Sequence, residues 1–116
     1  MSTSSELLMF VETNVFTKRI GALGLDDALH ELQLELLENP EAGVIDPGTG
    51  GLRKVRMPDP ARRQGKRGGA RAHYLWLKQK RVIYLLYVYG KNEAQTLTPG
   101  QKRRLHDIVR QIRQQP

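Results

Sequence analysis

Hydrophobic positions along this chain recur with two different periods, and each period predicts a different kind of element. Between Leu25 and Glu38 the leucines recur at helical spacing, and the glutamates of the same segment face outward. The recurring positions are Leu25, Leu29, Leu32 and Leu36. The pattern predicts a helix that Asp26 caps and that Asn39-Pro40 ends.

The chain before this helix predicts two shorter elements. Residues 9–12, Met-Phe-Val-Glu, predict a short strand, and Asn14 is placed to cap a brief helix through Ile20, before the glycines that follow. After the long helix, residues 41–51 are rich in turn-forming types and predict a connection.

Three further strands are predicted by residues rich in Tyr, Val, Ile and Leu, at 52–57, 70–78 and 82–89. A tight hairpin at 79–81 joins the last two. Period-two alternation places one set of side chains on one face of the middle strand, namely Arg71, His73, Leu75 and Leu77. The opposite face receives Ala72, Tyr74 and Trp76.

Thr98-Pro99 predicts the start of a final helix, because threonine caps well and proline suits the first turn. Its predicted core positions are Leu105, Ile108, Val109 and Ile112. The order β-α-α-β-β-β-α predicts an α+β fold: a small antiparallel sheet with two N-terminal helices and a C-terminal helix packed on one face. Residues 1–8 are predicted to be disordered, and 9–116 to form a single domain.

Charge divides this 116-residue chain into two unlike halves. Residues 1–52 carry nine acids and two bases, a net charge of −7; residues 53–116 carry seventeen bases and three acids, a net charge of +14. Such asymmetry favours a polyanionic partner for the second half. A membrane surface is the weaker alternative, because the bases do not share a helix with an exposed apolar face.

Several kinds of chemistry are not expected. The chain has no cysteine, so it has neither a disulfide nor a thiolate nucleophile. Histidines and carboxylates are not clustered as metal ligands are, and no glycine-rich loop precedes a helix as in nucleotide-binding motifs. We therefore expect no metal and no cofactor. With no signal peptide and no apolar stretch long enough to span a bilayer, the expected location is the cytoplasm.

Basic residues concentrate between Arg53 and Arg71, where eight Lys or Arg accompany a single acid, Asp59. Lys54 and Arg56 share one face of the first strand of the triplet, beside Arg53. One interpretation is an edge strand protected by charge against aggregation. We favour an anion site, because closely spaced cations repel one another and an edge needs only one.

Other candidates surround these strands. The loop between them holds Arg62, Arg63, Lys66 and Arg67, and the segment after the last strand holds Lys91, Asn92 and Glu93. Glu93 is expected to orient Lys91 through a salt bridge. His73 is interpreted either as an acid or base beside Arg71 or as a packed core residue, and Tyr89 either as a stacking surface or as core.

Three motifs, in this order, resemble the HigB-type toxins of the RelE/ParE superfamily. They are Gly50-Gly51-Leu52-Arg53-Lys54-Val55-Arg56, Gly65-Lys66-Arg67-Gly68-Gly69-Ala70-Arg71 and Tyr87-Val88-Tyr89-Gly90-Lys91-Asn92-Glu93. The resemblance covers nearly the whole chain. It implies the toxin of a type II toxin–antitoxin system: a ribosome-dependent, metal-independent endoribonuclease that cuts mRNA in the A site. Its implied partners are a HigA-like antitoxin with a helix-turn-helix domain, the ribosome and mRNA, with operator DNA bound only through the antitoxin.

The resemblance also implies roles for individual residues. In such enzymes the ribose 2′-OH attacks the adjacent phosphate, which requires a base, an acid and cations around the phosphate. Matched motif positions make Lys54, Arg56, Arg71 and Lys91 the catalytic set. The predicted RNA-binding residues are Arg53, His73, Tyr89, Asn92 and the four basic loop residues. Asn92 departs from the RelE pattern, and so the leaving-group acid stays open among Lys91, Tyr89 and His73.

Two other functions compete with the ribonuclease. A non-catalytic RNA-binding module would use the same basic sheet, but it would be expected to display more outward aromatic residues. A ParE-like inhibitor of DNA gyrase would share the fold, yet it generally lacks the basic set on the sheet. Arg56, Arg71 and Lys91 beside Lys54 favour the ribonuclease.

Overall fold

The chain folds as an α+β structure, as the periodicity predicts. The computed structural model describes residues 7–58, 69–94 and 96–116. The strands are β1 (Met9–Glu12), β2 (Val44–Ile45), β3 (Arg53–Arg56), β4 (Ala70–Leu77) and β5 (Val82–Gly90), and the helices are α1 (Asn14–Leu23), α2 (Asp26–Glu38) and α3 (Pro99–Arg113). A short 3₁₀ turn, Lys78–Lys80, joins β4 to β5. Leu8, just before β1, packs against the core, and residues 1–6 lie outside the described part of the chain.

Within the described residues, the strands form one sheet in the order β1-β5-β4-β3-β2. The prediction of an antiparallel sheet is wrong at one edge, because β1 runs parallel to β5. A parallel pair needs a long connection between its strands, and here α1, α2 and the inner strands lie between them in the chain. The pairing of β2 with β3 was also missed, since the two residues of β2 are too few to show alternation.

The helices cover both faces of the sheet rather than one. α1 and α2 pack through Phe16, Leu32 and Leu36 against one face, which includes Tyr74 and Leu85. On the other face, Leu105, Val109 and Ile112 of α3 pack against Leu52, Leu75 and Leu86. The prediction of helices on one face fails because β4 and β5 carry buried apolar residues on both faces, and each face must be shielded from water.

Helix ends follow local chemistry with shifts of one residue. Thr13, not Asn14, caps α1: its Oγ1 accepts a hydrogen bond from the backbone N–H of Phe16 at 3.1 Å. Asp26 is not the cap of α2 but lies in its first turn, where its negative charge interacts favourably with the helix dipole. Thr98 caps α3 as predicted, and Gln101 completes a capping box.

Core positions agree with the periodicity except at one place. Leu29, Leu32 and Leu36 of α2 are buried, as predicted. Ile108 of α3, predicted as core, is 38 % exposed. Ile108 lines an open groove with Val15 of α1 and Leu86 of β5 instead.

Candidate nucleic-acid interface

Three cations from two neighbouring strands form the centre of the candidate site. Arg56 of β3 lies directly opposite Arg71 of β4, and Lys54 lies opposite His73. Directly opposite residues point to the same face, with their Cβ atoms about 5 Å apart. None of Lys54, Arg56 and Arg71 has a carboxylate partner within the described residues. The three side chains are called the cationic row below.

Arg71 is the most constrained member of the cationic row. Its side chain is partly buried, and its Nη1 is shielded from solvent with no hydrogen-bond partner in the described part of the chain. An unsatisfied buried donor on a charged group is costly, and native proteins rarely retain one without a reason. A guanidinium in this state is suited to receive an anion, because its N–H groups bind two oxygens of one phosphate.

His73 lies on the same face of the sheet as the cationic row, directly opposite Lys54, and is 0 % exposed. Its Nε2 is 2.8 Å from Oδ2 of Asp46, and its ring stacks on Tyr89 with the centroids 5.9 Å apart. Burial lowers the pKa of His73 below its usual value, although the hydrogen bond with Asp46 opposes the shift, and the charges of Lys54 and Lys102 add to it. The imidazole is therefore neutral, Nε2–H donates to Asp46, and Nδ1 is a buried acceptor without a described partner.

Asp46 links the sheet to α3. Lys102 of α3 donates to Oδ1 of Asp46 at 3.0 Å and to the carbonyl of Pro47 at 2.9 Å. Burial tends to raise the pKa of Asp46, but the hydrogen bonds from His73 and Lys102 outweigh it and lower this pKa overall. Asp46 therefore carries a negative charge next to His73 and Lys102, and it fixes the orientation of the His73 ring.

Tyr89 is a buried core residue beside the site rather than part of its surface. It lies directly opposite Arg71 and is only 2 % exposed. Burial raises the pKa of Tyr89, while the nearby charge of Arg71 acts in the opposite direction. The phenol is therefore protonated at neutral pH. His73 and Tyr89 are buried next to the cationic row, and neither is displayed to solvent as a stacking surface for RNA.

The turn after β5 presents Lys91 and Asn92, both exposed, beside the start of β4. The Lys91 side chain passes over Gly69: a Cβ at that glycine would lie 3.2 Å from Lys91 Cγ. Only a glycine leaves the lysine stem undisturbed at this distance. The stem of Lys91 therefore lies against Gly69, just before the start of β4.

Glu93 does not pair with Lys91 as predicted. Its Oε1 accepts hydrogen bonds from Nη2 of Arg19 and from the backbone N–H of Gly90, the latter at 2.8 Å. The hydrogen bond with Arg19 is the main cause of the lowered pKa of Glu93. α1 places Arg19 beyond the end of β1, where its Nε also donates to the backbone carbonyl of Val88. Glu93 therefore pairs with Arg19 rather than with Lys91.

The remaining candidates are placed elsewhere. Arg53 points to the face covered by α1 and α2, where its Nη1 donates to the carbonyls of Gly43 at 2.8 Å and Glu41 at 3.3 Å. It holds the connection before β2 rather than joining the cationic row. The four basic residues of the loop lie outside the described residues: Arg62, Arg63, Lys66 and Arg67.

Sequence reasoning missed Arg19, Asp46 and Lys102. Each is an ordinary charged residue on a helix or in a turn, and its partner is far away in the chain: Asp46 is 27 residues from His73, and Lys102 is 56 residues from Asp46. No local pattern marks such a pair. One indirect clue existed, because Lys18 and Arg19 are the only bases of the acidic half.

No known family model matches the chain. Among the described residues, no group of three or more His, Cys, Asp or Glu is arranged to hold a metal ion. No helix in the described part of the chain is long and apolar enough to cross a membrane. The site is therefore interpreted from its own geometry: a row of cations on two neighbouring strands, open to an anion and flanked by the buried, neutral side chains of His73 and Tyr89.

Proposed function

We propose that this protein is a metal-independent endoribonuclease that cleaves mRNA on the ribosome, the toxin of a type II toxin–antitoxin system. The observation that carries the proposal is the cationic row, in which Lys54, Arg56 and Arg71 project from adjacent strands and have no carboxylate partner among the residues that the structure describes. Uncompensated cations on rigid strands repel one another, and a phosphodiester relieves that repulsion. The HigB-like motifs described above supply the reaction class.

In this proposal Arg71 stabilises the charge that grows on the phosphate oxygens as the 2′-OH attacks. Its buried, unpaired Nη1 supports the role, since such a donor is already desolvated before the substrate arrives. Arg56 lies opposite Arg71 and binds the same or the adjacent phosphate. Lys54 is the candidate base for the 2′-OH, and Lys91 is the candidate acid for the leaving 5′-oxygen, because the structure leaves both accessible while His73 and Tyr89 are enclosed.

The enclosure of His73 and Tyr89 also favours a second candidate, a non-catalytic RNA-binding module. Two of the three groups that were considered for the leaving-group acid are 0 % and 2 % exposed. A protein with a phosphate-binding row and few accessible proton donors binds RNA without cutting it. For the ribonuclease, this scarcity implies that the ribosome helps to position the message.

The proposed partner is a co-encoded antitoxin, which a cytoplasmic toxin of this kind needs for the survival of its host. An acidic segment that covers the cationic row is the simplest electrostatic complement. Purification of the complex followed by salt titration tests this arrangement. A complex that is insensitive to salt and buried against α2 would contradict it, since α2 carries the acidic residues Glu31, Glu35 and Glu38.

Arg71→Ala tests the activity itself. We expect induction of the wild-type chain in bacteria to produce mRNA fragments with new 5′ ends within translated codons. Arg71→Ala should reduce cleavage by roughly a hundred- to a thousand-fold, the usual effect of removing one donor to a transition-state oxyanion. The matched control is Arg103→Ala, which removes an exposed arginine of α3.

Equal cleavage by Arg71→Ala and the wild type would contradict the assigned role. RNA binding without any fragments from the wild-type chain would favour the non-catalytic module instead. Efficient cleavage of naked RNA by the purified protein would contradict ribosome dependence.

A further inference from the structure

An open groove of about 260 Å³ lies between α1 and α3, beside the end of β5. Its lining includes the buried Leu86 and Leu105, and also Val15 of α1 and Ile108 of α3, which are 52 % and 38 % exposed. Sites for whole small molecules span roughly 300–1,000 Å³. This groove is smaller, and its apolar lining suits a few side chains of a protein partner.

The helices on either side of the groove are basic. Arg104 lines the groove four residues before Ile108, and Lys18 follows Val15 by three residues, so each cation shares a helix face with an exposed apolar residue. Neither Arg104 nor Lys18 has a carboxylate partner among the described residues. α1 contains two bases and no acid, and α3 contains five Lys or Arg and one acid. The charge of these helices favours an acidic partner.

The edge of the sheet beside the groove is already occupied by side chains. β1 ends opposite Leu85, so the rest of β5 has no strand on this side. The carbonyl of Leu86 accepts a hydrogen bond from Thr13 Oγ1 at 2.9 Å, and the carbonyl of Val88 accepts one from Nε of Arg19. A strand added at this edge would therefore find its acceptors engaged, whereas a helix that inserts side chains needs no backbone partner.

The dimensions of the groove also fit a helix. Its lining residues on α3 run from Gln101 to Ile108, a length of about 10 Å or two helical turns. Helices that dock into grooves use apolar residues at spacings of three, four and seven, which cover the same length.

α2 of the same chain presents a helix face of this kind. Leu34 and Leu37 lie three residues apart and are each 49 % exposed. Glu31 and Glu38, both exposed, lie three residues before and four residues after Leu34, so they flank the leucines on the same face. α2 contains five acids and no Lys or Arg. Both surfaces therefore combine exposed apolar residues with flanking charges, and the charges have opposite signs.

We propose that the protein self-associates by docking α2 of one copy into the groove of a second copy. Leu34 and Leu37 enter the groove beside Val15 and Ile108, and the acids of α2 face the bases of α1 and α3. The two surfaces lie on different parts of the chain, so the contact is heterologous. Two leucines and their flanking charges make a small contact, and we expect a weak and transient association. This contact does not depend on the proposed ribonuclease activity.

Sedimentation equilibrium of the wild-type protein tests the association. The average mass should rise above the 13.2 kDa of one chain as the concentration increases from about 10 μM to about 1 mM. Raising the salt concentration tenfold should weaken the association, because exposed charges are screened.

Two variants, each of which removes one surface, decide the mode of contact. Ile108→Glu places an acid in the groove but leaves α2 intact, and Leu37→Glu does the converse. Each variant alone should associate on the order of tenfold more weakly than the wild type, the effect of losing one buried apolar side chain. An equimolar mixture of the two should form a 1:1 heterodimer through the one intact groove and the one intact helix face.

The heterodimer also shows that both variants are folded, since each supplies an intact surface. Val15→Glu and Leu34→Glu replace the first pair if either of those proteins fails to fold. Leu7→Glu is the matched control, because it makes the same change at an apolar residue that is 77 % exposed and lies before β1, and it should associate like the wild type.

A wild type that stays monomeric throughout the concentration range would overturn the proposal. So would undiminished association of either variant, or a mixture that forms no heterodimer. Association that is unchanged by salt would overturn the charge complementarity that selects α2 as the occupant. A monomeric wild type whose complex with a co-encoded antitoxin is lost in Ile108→Glu would assign the groove to the antitoxin instead.

Discussion

At the scale of single residues, the site combines a row of cations with neutral side chains that are buried beside them. Arg71 holds a desolvated Nη1 with no hydrogen-bond partner among the described residues, and His73, on the same face of β4, is fixed by Asp46. A protonated His73 would place another cation beside the cationic row in a buried position, which burial and the nearby lysines both disfavour. The stability of this part of the protein should therefore depend on pH.

Acidification should destabilise the protein through His73. Its pKa is lowered in the folded state, so the unfolded chain, with the ordinary value of 6.5, takes up the proton first. Stability from this group is complete above pH 6.5 and is lost as the pH falls below it, with a slope of at most about 1.4 kcal/mol per pH unit. The pKa of Asp46 is also lowered in the folded state, so the free energy of unfolding decreases further as the pH falls below 3.8. Urea unfolding at several pH values between 7 and 5 measures the effect.

Two variants separate His73 from the other titrating groups. His73→Gln retains a donor for Asp46 but cannot titrate, so the free energy of unfolding should become nearly flat between pH 7 and 5. His30→Gln, which changes an exposed histidine of α2, should keep the wild-type slope. A slope that survives in His73→Gln would show that His73 is not the group that responds to pH.

At the scale of elements, α3 contributes to both the core and the site. Its apolar residues pack on one sheet face, and its first turn carries Lys102 to Asp46. The capping box fixes this turn: Thr98 Oγ1 accepts from the backbone N–H of Gln101 at 3.1 Å. Loss of the cap should therefore loosen the end of the helix that supports the site.

Thr98→Ala should lower the free energy of unfolding by about 1 kcal/mol, the typical cost of removing a threonine cap. Chemical denaturation provides the measurement. Thr96→Ala is the control, since Thr96 is exposed and makes no side-chain hydrogen bond to another described residue, and it should change stability by less than about 0.5 kcal/mol. Similar losses in both variants would show that the cap itself contributes little.

At the scale of the whole molecule, the sheet separates the two charge signs. The acidic residues of α2 lie over one face, and the cationic row occupies the other. The acidic and basic halves of the chain, with net charges of −7 and +14, thus contribute the acids of α2 to one side and the cationic row to the other. RNA that approaches the basic side is attracted without meeting the acids of α2.

RNA binding should weaken steeply as salt rises. Three phosphate contacts, one for each member of the cationic row, imply a slope of about −2 for log K against log salt with single-stranded RNA, or steeper if further cations bind. Arg71→Ala should reduce the magnitude of that slope by about 0.7. Fluorescence anisotropy of a labelled single-stranded RNA across a salt series measures both values. A slope near zero would contradict phosphate recognition by the cationic row.

The sequence by itself determined what depends on neighbouring residues. Helical spacing of leucines defined α2, Thr98-Pro99 defined the start of α3, and alternation placed Arg71, His73 and Leu75 on one face of β4, as the structure confirms. Lys54 and Arg56 were assigned to a shared face for the same reason. The faces of strands and helices follow from periods of two and 3.6 residues, which can be read within a single short segment. The start of α3 follows from its own capping residues in the same way.

Only the tertiary structure decided which groups meet across the chain. The parallel pairing of β1, the position of α3 opposite α1 and α2, and the pairs Asp46–His73 and Arg19–Glu93 all join residues that are distant in sequence. These residues become neighbours because helices pack on both apolar faces of the sheet. The spacing of residues within one segment does not predict which distant segments will meet. Burial then turned His73 from a candidate acid or base into a neutral support, because desolvation depends on what surrounds a side chain rather than on its type.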